Sequence, residues 1–103
     1  MVILFVRMKV RPEKRRELSQ TFHSIVEHVR MESGCRYSGF YQDLENEDNL
    51  LVVEEWTTEK DWDDHLQSDI FAVLLGAGTL MHRPPEILIH AVSLSTELEA
   101  WEP

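Results

Sequence analysis

The spacing of apolar residues changes abruptly at Pro12, which limits the chain to folds where a strand feeds directly into a helix. From Val2 to Val10 the residues alternate: Leu4, Val6, Met8 and Val10 share one face while Phe5, Arg7 and Lys9 share the other, the period of a strand. Beyond Pro12, Leu18, Phe22, Ile25, Val26 and Val29 recur at intervals of three and four, the stripe of an amphipathic helix of about five turns. Proline costs nothing in a first helical turn, and Glu13 puts negative charge at the positive end of the helix. Ser33-Gly34 is expected to end it.

The aromatic-rich stretch at residues 35–43 and the apolar run from Leu50 to Trp56 flank an acidic loop, Glu45-Asn46-Glu47-Asp48-Asn49, and read as a hairpin. Thr58 can cap a following helix with Asp61 three residues on, and Trp62, His65 and Leu66 then fall on one face. Ser68 or Asp69 restarts a helix whose Ile70, Phe71, Val73, Leu74 and Leu75 predict burial, until Gly76 and Gly78 loosen it. Pro84-Pro85 blocks continuation, and a last strand is expected from Ile87 to Leu94 with His90 as its polar interior position. Strand, helix, strand, strand, helix, strand with right-handed crossovers gives an α+β, ferredoxin-like βαββαβ antiparallel sheet with its helices on one face. A single domain over residues 1–103 is expected, with a core at 2–94 and a tail at 95–103.

Helices cover one face of such a sheet, so the other must be polar or meet a partner. Here the final strand is apolar on both sides, and Leu51 and Val53 oppose Val52. Covering roughly 500 Å² of apolar sheet with a second copy would give ~12 kcal/mol of gross burial at ~25 cal/mol per Å². Association costs of ~4 to 15 kcal/mol consume much of this, yet the balance favours a homodimer. Trp101, in an acidic tail, is a candidate to reach across to the partner, with a frayed end as the alternative.

Nineteen acidic against ten basic side chains, a net charge of −9, argue against nucleic acid and anionic membrane surfaces as partners. No apolar run approaches the ~20 residues of a membrane span, and Arg7 and Lys9 interrupt any signal-like segment, so a cytoplasmic location is expected. Cys35 is the sole cysteine, which excludes an intrachain disulfide and a thiolate zinc centre; it reads as a small buried hydrophobe. No histidine pair has metal-site spacing, and no glycine-rich phosphate loop follows a strand, so neither metal nor nucleotide cofactor is expected.

His65 is the residue that invites chemistry. Its helical neighbours turn it inward beside Trp62, where an imidazole must find a hydrogen-bond partner or a ligand. It reads either as a core histidine bonded to Glu54 or Glu55, or as a reactive group, and a carboxylate would serve both. Glu54 and Trp56 share a strand face with Val52, expected toward the helices. Trp56, Trp62, Phe71 and Leu75 would then form apolar walls for a flat ring, with ordinary core packing as the alternative. His23 and His28 flank the helical stripe as solvated residues, His82 lies in a loop, and His90 could line a cavity.

Gly34-Cys35, Tyr41-Gln42-Asp43, Glu54-Glu55-Trp56 and Trp62-Asp63-Asp64-His65-Leu66-Gln67-Ser68, in this order and spacing, resemble the antibiotic biosynthesis monooxygenase (ABM) domain family from the first strand to about Leu94. The resemblance implies a dimeric α/β barrel, two ferredoxin-like sheets packed face to face. For activity it implies cofactor-free oxygenation of phenols, anthrones or quinols, haem degradation, isomerisation of a small carbonyl signal molecule, or no established activity; a non-catalytic dimeric module that binds a small ligand or a partner protein is the alternative from another class. The haem-degrading branch resembles the chain strongly at residues 66–71. It needs an asparagine on the first strand, a tryptophan where this chain has His65, and a histidine where it has Leu75; the only asparagines are Asn46 and Asn49, so haem degradation is rejected. The favoured expectation is a monooxygenase that uses molecular oxygen on a small quinol or phenol, with His65 as base. Phenol near pKa ~10 and imidazole near ~6.5 differ by about 3.5 units, ~5 kcal/mol against transfer, so His65 needs help. Arg7, Arg36 or Arg83 are candidate donors to the phenolate.

Overall fold

The computed structural model describes residues 1–81, 83–93, 95 and 96, leaving out the side chains of Thr79 and Leu80. Its elements are β1 (Val2–Lys9), α1 (Arg15–Val29), β2 (Cys35–Gln42), β3 (Asn49–Trp56), α2 (Glu59–Leu66), α3 (Asp69–Gly76) and β4 (Glu86–Ala91), with short 3-10 turns at Pro12–Lys14 and Ala77–Leu80. The strands form one antiparallel sheet in the order β2-β3-β1-β4, the ferredoxin-like arrangement expected from the element order. Among the described residues no helix is long and apolar enough to cross a membrane.

Alternation places Val2, Leu4, Val6 and Met8 of β1 on the buried face, with Leu50, Val52, Glu54 and Trp56 of β3 beside them. The stripe of α1 closes over these residues through Leu18, Phe22, Ile25 and Val29, and Val26 is buried as well. Phe71 and Leu74 of α3 and Trp62 of α2 complete the core. Arg15 ties the start of α1 to the hairpin loop, 2.8 Å from Asp48 and 3.2 Å from Glu47.

Several local expectations shift. The α-helix ends at Val29, and the next residues wind on in turn bonds from Met31 to His28 and Glu32 to Val29 before Gly34, at φ 83°, reverses the chain. A side chain at Gly34 would also collide with the carboxyl of Asp61, so glycine is needed there for space as well as conformation. Ser68 is the cap of α3, accepting from the Phe71 amide at 3.2 Å, and Thr58 caps α2 as expected. The apolar run at 70–75 is not buried throughout: Phe71 and Leu74 point inward, while Val73 and Leu75 are about half exposed because only one face of α3 meets the core. Leu66 is likewise exposed. Cys35 is only partly buried.

β4 spans Glu86–Ala91 rather than running on from Ile87 toward Leu94, because Val2, at the start of β1, is already paired with Ala91. Leu94, His82 and the tail residue Trp101 lie outside the described residues. His90 is exposed on the outer sheet face, its ring edge-on to Phe5 at 5.6 Å, so it lines no interior. That outer face carries Ile3, Phe5, Leu51, Val53 and Leu88, all half-buried with nothing packed over them among the described residues.

Candidate active site

Three elements converge on His65. Helix α2 carries it inward to 2% exposure, β3 supplies Glu54 and Trp56 on the helix-facing side, and the turn after α1 supplies Glu32. His65 Nδ1 lies 2.8 Å from Glu32 Oε2 in a hydrogen bond. Nε2 lies 3.0 Å from Glu54 Oε1, close but off the line a hydrogen bond requires. The indole N–H of Trp56 donates to that same Glu54 oxygen at 3.1 Å. Of the two carboxylates weighed as partners, Glu54 is therefore the one, and Glu55 falls on the opposite face of β3.

The ring is walled by aromatics. Trp56 stacks on it with centroids 4.4 Å apart, Phe71 meets it edge-on at 5.5 Å, and Trp62 lies tilted at 5.9 Å. Trp62 and Phe71 also meet edge to face at 5.9 Å, which closes the cage. Leu75, expected as a fourth wall, is 47% exposed and takes no part. The helical period explains this: Phe71 and Leu74 face the core, and the residue after Leu74 turns away.

Burial alone would lower the basicity of His65. The facing Glu54 carboxylate, and after it Glu32, outweigh that cost and hold the imidazole above its ordinary pKa. Cys35 moves the opposite way in reactivity: burial first, then the charge of Glu54, pushes its thiol up to about 11, so it stays protonated and unreactive.

None of the three arginines considered as donors reaches the ring. Arg7 pairs with Glu86 at 3.6 Å on the outer sheet face and, with Arg83, lines an open cavity of about 670 Å³ there. Arg36 is the extra residue of a bulge between Cys35 and Tyr37, and lines a shallow cavity of about 370 Å³ with Arg30 and Ser38. Neither cavity includes His65, whose surroundings are filled by the side chains just named. Among the described residues, no group of three or more His, Cys, Asp or Glu side chains could hold a metal ion.

One participant, Glu32, and one buried neighbour, Ser38, carry no signal in the sequence. Glu32 sits in a turn with no periodicity to orient it, and only the reversal at Gly34 brings it under α2. Ser38 is buried opposite Glu54 across the strand pair, and its hydroxyl has no partner among the described residues. A lone serine in a strand carries no sequence signal of this kind.

Known proteins agree with this architecture. The family profile described as antibiotic biosynthesis monooxygenase matches residues 1–74. The Synechocystis protein sll1783 is 31% identical over 96 residues; the match takes in 89% of this chain but spans only 63% of that protein's length. YcnE of Bacillus subtilis, provisionally named a monooxygenase, is 27% identical over 89 residues, covering 85% of this chain and 94% of YcnE. A Deinococcus radiodurans structure, provisionally named an antibiotic biosynthesis monooxygenase, superposes with a TM-score of 0.87 at 20% identity, covering 97% of this chain and all of that one, a likeness of fold. With a profile match over most of its length and the same sheet and helix order, the chain belongs to the antibiotic biosynthesis monooxygenase family.

Proposed function

We propose that the protein is a cofactor-independent monooxygenase acting on a small quinol or phenol, working as a homodimer through the outer sheet face. The observation that supports this reading is the His65 ring held between Glu54 and Glu32 inside the cage of Trp56, Trp62 and Phe71. His65 is the proposed base, and Glu54 and the three aromatics the substrate-binding shell. In the reaction, removal of the substrate's hydroxyl proton leaves an electron-rich anion that reduces dioxygen. One oxygen atom ends on a ring carbon, the other leaves as water, and the substrate supplies all the electrons.

The carboxylates bear directly on the proton-transfer problem. An unassisted imidazole falls about 3.5 units short of a phenol. Glu54 and Glu32 raise the proton affinity of His65 and so narrow that gap. No arginine stands at the ring to stabilise the phenolate, so the acceptor's own basicity carries more of the burden. A flat substrate would enter by displacing Trp62 or Phe71, which lie on α2 and α3 on either side of the break at Gln67-Ser68.

The test is oxygen uptake across a hydroquinone and phenol panel by the wild-type protein and His65→Ala, with circular dichroism as the control for fold. Uptake should fall by about a hundredfold or more in the variant. Equal rates in both proteins would sink the assignment, and turnover without oxygen consumption would move the chain to an isomerase. The filled space around His65 favours a second reading, a non-catalytic dimeric module in which the ring is an internal brace. That reading expects no uptake from any panel member.

A further inference from the structure

The least expected feature of the site is that its two carboxylates differ in access to water. Glu54 is enclosed, with its side chain 1% exposed, as is that of His65, whereas the Glu32 side chain is 26% exposed. The three form a line from core to solvent, with the imidazole between an inner and an outer carboxylate at 3.0 and 2.8 Å. A brace for a buried ring needs only one acceptor, and a second carboxylate at the same imidazole adds negative charge whose desolvation is costly.

We infer that Glu32 is the solvent port of a proton path that ends inside the core at Glu54, with His65 as the link. The inference rests on reading His65 as the proton acceptor, and it makes Glu32 a positioning and proton-carrying residue that touches no substrate. A proton reaching Nε2 from the Glu54 side makes the imidazolium; Nδ1 then releases its own proton to Glu32 and so to water. The reverse pair of transfers restores the starting tautomer, no electrons move and no co-reactant is needed. An oxygenation that takes a proton early and returns one late uses both directions. The poor alignment at Glu54 calls for a small ring rotation, as is common in sites without substrate.

Other titratable groups on the neighbouring elements do not substitute for Glu32. The Cys35 thiol on β2 stays protonated. The Arg30 guanidinium is engaged with the Ser38 carbonyl at 3.0 Å. On α2, the Asp61 carboxylate accepts from the Thr58 hydroxyl at 2.8 Å beside Gly34.

The experiment needs no substrate. In protein labelled with 15N-histidine, the exchange of the His65 ring N–H with water is measured by NMR in wild type and Glu32→Gln. Glutamine keeps the length and the acceptor oxygen, but its amide cannot take up and release a proton near neutral pH, so exchange should slow about tenfold or more. A merely structural Glu32 predicts the reverse sign: weakening the contact lets the ring open more often, and exchange stays equal or quickens. Glu32→Ala with added formate gives an independent readout, since a free carboxylate in the vacated place should restore exchange. Failure of formate to do so, or unslowed exchange in Glu32→Gln, overturns the port. Absence of oxygen uptake in the wild-type protein would remove the oxygenase reading and leave this result standing.

Discussion

Trp56 and Glu54, two positions apart on β3, point the same way, and the indole N–H of the first donates to the carboxylate of the second at 3.1 Å in the centre of the core. That bond orients the oxygen that faces His65, while the Trp56 ring stacks on the same histidine. One strand register therefore sets both the charge and the wall of the site.

The linkage between His65 and Glu54 makes stability depend on pH. The folded-state pKa of His65 is raised, so its contribution is fully present below the unfolded value of 6.5 and is lost as pH rises through the folded value. Thermal melts taken upward from pH 6.5 should show a fall in Tm that is smaller in Glu54→Gln, whose His65 has lost the stronger of its two anions. At pH 6 the same variant should be destabilised by about 2 kcal/mol or more in urea titration, since it breaks a buried charge pair.

The two leucine and phenylalanine positions of α3 should separate cleanly. Phe71→Ala opens a cavity beside Trp62 and His65 and should cost about 3 kcal/mol in chemical denaturation. Leu75→Ala, on the outward side, should stay within about 0.5 kcal/mol and leave oxygen uptake unchanged.

Light scattering at micromolar concentration should give twice the 12.1 kDa chain mass. Val53→Asp puts a charge in the middle of the half-buried outer face and should return the monomer mass with the far-ultraviolet spectrum preserved. A monomer in the wild-type protein would count against the homodimer.

Much of this molecule is legible in its amino-acid order. The alternation of Leu4, Val6 and Met8, the stripe from Leu18 to Val29 and the parity of Val52, Glu54 and Trp56 each name a buried face, because side-chain direction follows from the backbone period alone. The Thr58 cap and the inward turn of His65 came from the same local rules. The apolar run at 70–75 misled because composition states that a helix is apolar without saying how much of its circumference the fold covers.

Which groups meet is set by the packing of elements distant along the chain. Periodicity could bring His65 to the core and offer Glu54 or Glu55 as its partner; the sheet register chose Glu54 by sending Glu55 to the other face. Glu32 comes from a turn 33 residues before His65, placed by the positive φ of Gly34 and its close approach to Asp61, geometry that no pattern of apolar residues encodes. The layers and the inward histidine follow from local period and burial. Whether that histidine is a brace or a base depends on charges brought together across the fold, and only the folded chain sets their distances.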